Sequence, residues 1–126
     1  MSARFRPSQR LRKKAQFDRV FRRGARLDGR LFTLLVAANG GSQDRLGLAV
    51  SRRVGDAVVR NRARRLLRES FRRLSAAGRP PVDLVVLAKP EIAGLALAEV
   101  ERELRARLER IPRAALVARP RPSPPR

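Results

Sequence analysis

Residues 51–74 read SRRVGDAVVRNRARRLLRESFRRL, from Ser51 to Leu74. Nine arginines (Arg52, Arg53, Arg60, Arg62, Arg64, Arg65, Arg68, Arg72 and Arg73) stand against two acids, Asp56 and Glu69, a balance of +7 in twenty-four residues. At helical spacing Val59, Ala63, Leu66, Leu67, Ser70 and Leu74 gather on one side, a stripe that docks on a core. The other side is almost entirely arginine: Arg60, Arg64, Arg68 and Arg72 follow one another at i, i+4, with Asn61 and Arg65 between the turns. Like charges at that spacing repel by roughly 0.2–0.5 kcal/mol per pair, so helix stability alone does not account for the row. A polyanion turns the repulsion into attraction. Arginine presents a flat, permanently charged fork that matches phosphate oxygens two at a time, and its plane also stacks on a base. A run of mixed sign reads as a solvated face; one this nearly single-signed reads as a binding face.

The 126 residues allow one domain with a modest core, and a net charge of +20 makes the folded surface positive nearly everywhere. That favours nucleic acid over a small acidic substrate. With no Cys and no His, thiolate chemistry, imidazole catalysis and the usual zinc sites are excluded. No two carboxylates share an apolar or Gly-rich setting that would make a general acid/base pair, so neither catalytic nor metal-ligating residues are assigned. No apolar run approaches the eighteen or so residues of a membrane span and the N-terminus lacks a signal-peptide core, which makes the cytoplasm the expected location.

Along the chain, residues 1–12 (MSARFRPSQRLR) read as a flexible basic arm. In KKAQFDRVFRRG, Phe17, Val20 and Phe21 share one face of a short helix that Gly24 ends. Core packing is the plain reading of both phenylalanines. A Phe bordered by Lys13, Lys14, Arg19, Arg22 and Arg23 is also what a site needs to stack single-stranded bases and hold their phosphates. Leu31 to Ala38 (LFTLLVAA) and Leu46 to Ser51 (LGLAVS) read as strands, joined through Asn39-Gly40-Gly41 as an antiparallel pair. Asp56 is placed to cap the Arg-rich helix, which is expected to end near Ala77-Gly78. Val82 to Ala88 (VDLVVLA) reads as a buried strand. Pro90 then opens a last helix carrying Leu97, Val100, Leu104, Leu108 and Ile111, whose mixed Glu/Arg side is expected to be solvated. The domain proper spans 13–111, and a Pro/Arg-rich tail, 112–126, is expected to be disordered. The order helix-strand-strand-helix-strand-helix gives a small α/β sandwich with helices against one sheet.

The segment VGDAVVRNRARRLLRESFR resembles the signature of the bacterial ribonuclease P protein subunit. KKAQFDRVFRRG resembles that family's first helix, GLAVSRRVG its strand leading into the signature, and VDLVVLAKP occupies the place of a further strand. Roughly residues 9 to 111 share the resemblance, and the Arg60-Asn61-Arg62 segment with its flanks is its specific part. It implies a ribosomal protein S5 domain 2-like sandwich with a left-handed βαβ crossover, where the general rule for such connections is right-handed. It also implies a protein that binds a large catalytic RNA, the two together forming the Mg²⁺-dependent endonuclease that removes the 5′ leader of precursor tRNA. Mg²⁺ then acts through the RNA, the RNA does the chemistry, and neither DNA nor membrane is a partner. Arg60, Asn61, Arg62, Arg65 and Arg68 match the family's RNA-facing positions, and Arg52, Arg53, Arg64 and Arg72 extend that face here. Leader binding carries over to Phe17, Phe21 and Phe32, with Lys13 and Lys14 beside them. Where the family tends to place a further aromatic on the first strand, this chain has Leu34 and Leu35.

Other classes share part of this pattern. A ribosomal or other structural RNA-binding protein has the charge and the sandwich without the combined motifs. A DNA-binding module needs base-reading residues at a helix start, where this chain offers Ala57, Val58 and Val59. A self-sufficient nuclease lacks ligands.

Overall fold

The computed structural model describes residues 9–74 and 79–116. Helix α1 (Lys14–Arg23) leads into strands β1 (Ala25–Asp28), β2 (Phe32–Ala38) and β3 (Arg45–Ala49), then helix α2 (Ala57–Leu74), strand β4 (Val82–Ala88) and helix α3 (Leu97–Leu108). The four strands form one sheet in the order β1-β2-β4-β3. The sequence leads one to pair β2 with β3, but β4 lies between them, antiparallel to β2 and parallel to β3. A parallel pair needs a long crossover, and α2 supplies it, so β3, α2 and β4 form a βαβ unit. The extra strand β1 is only four residues long and half-exposed in alternation.

Both faces of the central strands are covered, which is why LFTLLVAA and VDLVVLA are continuous apolar runs rather than alternating ones. Phe32, Leu34 and Val36 of β2 and Val82, Leu84 and Val86 of β4 face the main core, under Ala63, Leu67 and Phe71 of α2 and Val100 and Leu104 of α3. Leu35, Ala37 and Val85 face the other way and are covered by Val20 of α1 and by Leu11. Leu11 is buried and its amide donates to the Leu46 carbonyl at 2.9 Å, while Arg10 bridges Leu46 in parallel fashion. Residues 9–12 therefore form a strap along the β3 edge instead of belonging to a free arm. Gln16 Oε1 accepts from the Arg12 and Lys13 amides at 3.0 and 3.1 Å, tying the strap to the first turn of α1.

Two buried carboxylates fix β3 against β4. Asp83 accepts both Nε and Nη2 of Arg45 at 2.8 Å and Nδ2 of Asn39 at 2.9 Å. Asp44 accepts two bonds from Arg79 at 3.0 Å and the Val82 amide at 2.9 Å. Removing one partner of such a pair leaves a buried charge, at a cost of about 3–5 kcal/mol.

Asp56 Oδ1 accepts the Val59 amide at 3.0 Å, capping α2 as its position predicts. Phe71, absent from the aliphatic stripe, is 1% exposed and completes the buried face. The expected stop at Ala77-Gly78 lies outside the described residues.

The last helix begins at Leu97, later than Pro90: Pro90–Ile92 form a 3-10 turn, and Gly94, at φ 79°, redirects the chain. Its polar side is only partly solvated. Glu103 accepts the amides of Arg30 and Leu31 at 3.1 and 2.7 Å, and Arg107 donates to the Asp28 carbonyl at 2.9 Å. Both close the turn between β1 and β2. Beyond α3, Arg113–Leu116 make one 3-10 turn where the proline content suggests no regular structure, and Leu116 packs on the main core. Glu103→Ala is expected to cost about 1–3 kcal/mol in urea unfolding by orphaning two amides. Exposed Glu109→Ala, further along the chain, should stay within about 0.5 kcal/mol.

Candidate nucleic-acid interface

The docked stripe of α2 turns its arginines outward, but not all in one direction. Asn61, Arg64, Arg65, Arg68 and Arg72, with Glu69 among them and Arg10 from the strap, line a concavity of about 400 Å³. Arg64 donates to the Asn61 side chain at 2.9 Å, which orients both. Burial, followed by the neighbouring charges of Arg10 and Arg64, makes the Arg68 guanidinium less basic than usual. It stays protonated nonetheless, since no protein environment deprotonates arginine. Cations held together under partial desolvation are suited to receiving an anion, because a phosphate would relieve both penalties at once. Glu69 accepts Arg72 Nε at 3.1 Å and a second, shorter bond from Nη2. That contact holds the Glu69 carboxyl below its usual range against a smaller opposing effect of burial.

The other arginines of α2 and of the turn before it do not line this concavity. Arg62 turns toward the far side of α2 and donates to the Leu95 carbonyl at 2.9 Å, anchoring the loop ahead of α3. Arg60 is half-buried, with an Nε that has no hydrogen-bond partner among the described residues. Arg73 faces Glu101 of α3 at 3.7 Å. Arg52 and Arg53 are exposed in the turn between β3 and α2.

A second concavity, about 220 Å³, adjoins the first along the β3 edge and shares Arg10, Arg64 and Arg68 with it. Its other lining residues include Arg12, Leu48 and Phe17. Phe17 is half-buried, packed against the cluster under α1, yet part of the groove wall. A Cβ on Gly47 would lie 2.7 Å from Cε1 and Cζ of its ring, so only glycine at that position lets the ring rest on the β3 backbone. Phe21 is 51% exposed, and Lys13 and Lys14 are exposed beside it. Phe32 does not belong here. It is 0% exposed on the α2/α3 side of the sheet, because its place in β2 points it into the main core.

Sequence reasoning missed Arg10, Arg12, Gly47 and Leu48. Only the apolar Leu11 within an otherwise basic segment signals that the strap is seated. Among the described residues no three His, Cys, Asp or Glu side chains come together as metal donors. Nor is any helix there long and apolar enough to cross a membrane.

The sequence profile of the ribonuclease P family matches residues 5–112, spanning both concavities. The chain belongs to the ribonuclease P protein family. The ribonuclease P protein component of Shouchella clausii (strain KSM-K16) is 41% identical over 114 residues, 89% of each chain. That of Brevibacillus brevis (strain 47 / JCM 6285 / NBRC 100599) is 39% identical over 98 residues, 77% of this chain and 78% of the relative. The ribonuclease P protein of Thermotoga maritima superposes with a TM-score of 0.73 at 32% identity, over 82% of this chain and 97% of that one. For the Staphylococcus aureus protein solved at 2.0 Å the TM-score is 0.70 at 27% identity, over 80% and 93%.

As a ribonuclease P protein, the chain is a subunit of an endoribonuclease whose reaction is RNA-catalysed, and ribonuclease P RNA is its partner; a ribosomal role is not favoured. The close approach of Gly47 and Phe17 seats the ring that forms part of the second groove's wall. Gly47→Ala is expected to cost about 1–3 kcal/mol in urea unfolding through overpacking. Phe17→Leu in the same chain should recover part of that loss, a coupling that a double-mutant cycle reads directly.

Proposed function

We propose that the outer concavity of α2 binds ribonuclease P RNA and that the groove beside it takes the single-stranded 5′ leader of precursor tRNA. The observation that carries this reading is the shared wall: Arg64 and Arg68 line both concavities, so one basic ridge lies between two adjoining binding surfaces. Asn61, Arg65 and Arg72 hold backbone phosphates of the RNA subunit, fixing register without reading sequence. In the groove, Arg10, Arg12, Arg64 and Arg68 meet leader phosphates while Phe17, with exposed Phe21 one turn on, offers a stacking surface that tolerates any base. Lys13 and Lys14 add charge at the entrance. Arg62 supports this face by holding the loop at Leu95, and Arg52 and Arg53 extend the charge past the helix start.

The protein's part is therefore binding and positioning. Three of its acids, Asp44, Asp83 and Glu69, are already taken up by Arg79, Arg45 and Arg72, and among the described residues no three acidic side chains gather to hold an ion. Mg²⁺ is assigned to RNA ligands, and no step of cleavage passes through this chain. The proposed setting is the cytoplasm.

The deciding experiment is cleavage of a leader-bearing precursor tRNA by the same organism's ribonuclease P RNA at low Mg²⁺, with and without this protein, alongside the protein alone. Restored accurate cleavage, with no activity from the protein alone, supports the reading; no effect of the protein on the RNA's reaction removes it. Arg65→Ala should flatten the salt dependence of RNA-subunit binding by about 0.7–0.9 in the log–log slope. Phe17→Leu should weaken precursor binding by up to about 1–3 kcal/mol while sparing mature tRNA.

Glu69→Gln removes a negative charge from the α2 concavity and should tighten RNA-subunit binding at neutral pH. Because the folded carboxyl titrates below the usual Glu range, its contact with Arg72 is present above the unfolded value and lost only as pH falls through the lower folded one. In wild type, a matching gain should thus appear only below the ordinary Glu range, which a pH series of binding in both proteins would reveal.

A further inference from the structure

A third concavity, about 210 Å³, lies on the other flank of α1. Arg19 and Arg23, one helical turn apart, form one wall; Ala37 and Ala38 of β2 lie at the floor, and Ala114 and Ala115 of the C-terminal 3-10 turn form the opposite wall. Among the described residues neither arginine has an acidic partner, and no acid lines the cavity. Two cations at i, i+4 on one flank repel, so the pair costs stability unless an anion joins it. The floor and far wall are small side chains, which leaves room for a flat ring or sugar beside a phosphate held by the guanidinium forks.

Two features separate this cavity from the leader groove. Arg19 and Arg23 each stand two residues from Phe21, about 200° around the helix, so the exposed ring and the arginines occupy opposite flanks of α1. The far wall also lies beyond the family match, which ends at Pro112. The turn is seated, not trailing: the Ala115 amide donates to the Pro112 carbonyl at 2.9 Å, and Leu116 packs on the core.

We propose that this cavity is a second phosphate-binding site for ribonuclease P RNA, taking one nucleotide of a single-stranded segment, with its far wall supplied by this chain's C-terminal turn. The inference rests on the RNA-binding reading above, and the leader is excluded by the opposite-flank geometry.

The test measures binding of full-length protein to ribonuclease P RNA across a salt series, together with the ratio of precursor to mature tRNA affinity in the holoenzyme. Arg19→Ala with Arg23→Ala should weaken RNA binding about tenfold or more. It should lower the log–log salt slope by about 1.4–1.8, two contacts' worth, and leave the precursor-to-mature ratio unchanged. Ala114→Glu, at an exposed wall position, keeps both arginines but sets a carboxylate against them, and should weaken binding in the same direction. Arg19→Lys with Arg23→Lys should retain the slope and lose part of the affinity. An unchanged slope in a folded double-Ala variant overturns the proposal, as does a loss confined to leader-bearing substrate. If the double-Ala variant weakens binding while Ala114→Glu does not, the arginines act as diffuse surface charge and no built site exists. Failure of wild type to bind the RNA at all would instead remove the function proposed above, and this inference with it.

Discussion

The pairing of Asp44 with Arg79 and of Asp83 with Arg45 is the constraint on which the rest depends. These contacts sit where β3 and β4 begin, and they hold β3 parallel to β4 where it could otherwise have paired with β2 as a hairpin. With β3 at the edge and β4 inside, α2 must cross between them, and that crossing carries its arginines past the open edge of β3. The strap at Arg10 and Leu11 then settles on the same edge. Both concavities that meet at Arg64 and Arg68 follow from that one choice of register.

The acids are distributed to the same end. Five of the eleven lie between Glu91 and Glu109, on the segment whose helix packs away from the strap. There Glu101 meets Arg73 and Glu103 closes the turn into β2. Asp44 and Asp83 are buried with their own arginines. Little negative charge is left for the face formed by α2, the strap and α1, so the net +20 is not spread evenly. Such an asymmetric field orients the molecule as it approaches a polyanion, beyond merely attracting it.

The sequence made the Arg-rich helix, its Asp56 cap and the two doubly buried strands legible, because each has a local signature: periodicity, a capping side chain, an unbroken apolar run. The family motif was legible for the same reason. What was not legible depends on partners far away in the chain. In a strand covered on both faces the pattern carries no parity, so nothing local shows that Phe32 points to α2 and α3 while Leu35 points to α1. Strand order rests on carboxylates whose partners lie more than thirty residues away, at Arg45–Asp83 and Asp44–Arg79. The family resemblance placed Arg62 among the RNA-facing positions, yet the Leu95 carbonyl that its guanidinium meets becomes visible only once the loop is folded.

Phe17 shows why a choice between core and cleft is too sharp for a small domain. Its ring packs against the cluster of Leu11, Val20, Leu35 and Val85 on one side and contributes to the groove on the other. In the proposed leader groove, a surface that accepts bases of any kind gains nothing from specific hydrogen bonds and depends on a flat ring held at a fixed height beside cations. Core packing supplies that rigidity, and Gly47 supplies the height by leaving the β3 backbone bare beneath the ring. Under that proposal, stability and binding are coupled at this residue. A ring free of the core would lose ordering entropy on every encounter, and one sunk wholly within it, as Phe32 is, could meet no base at all.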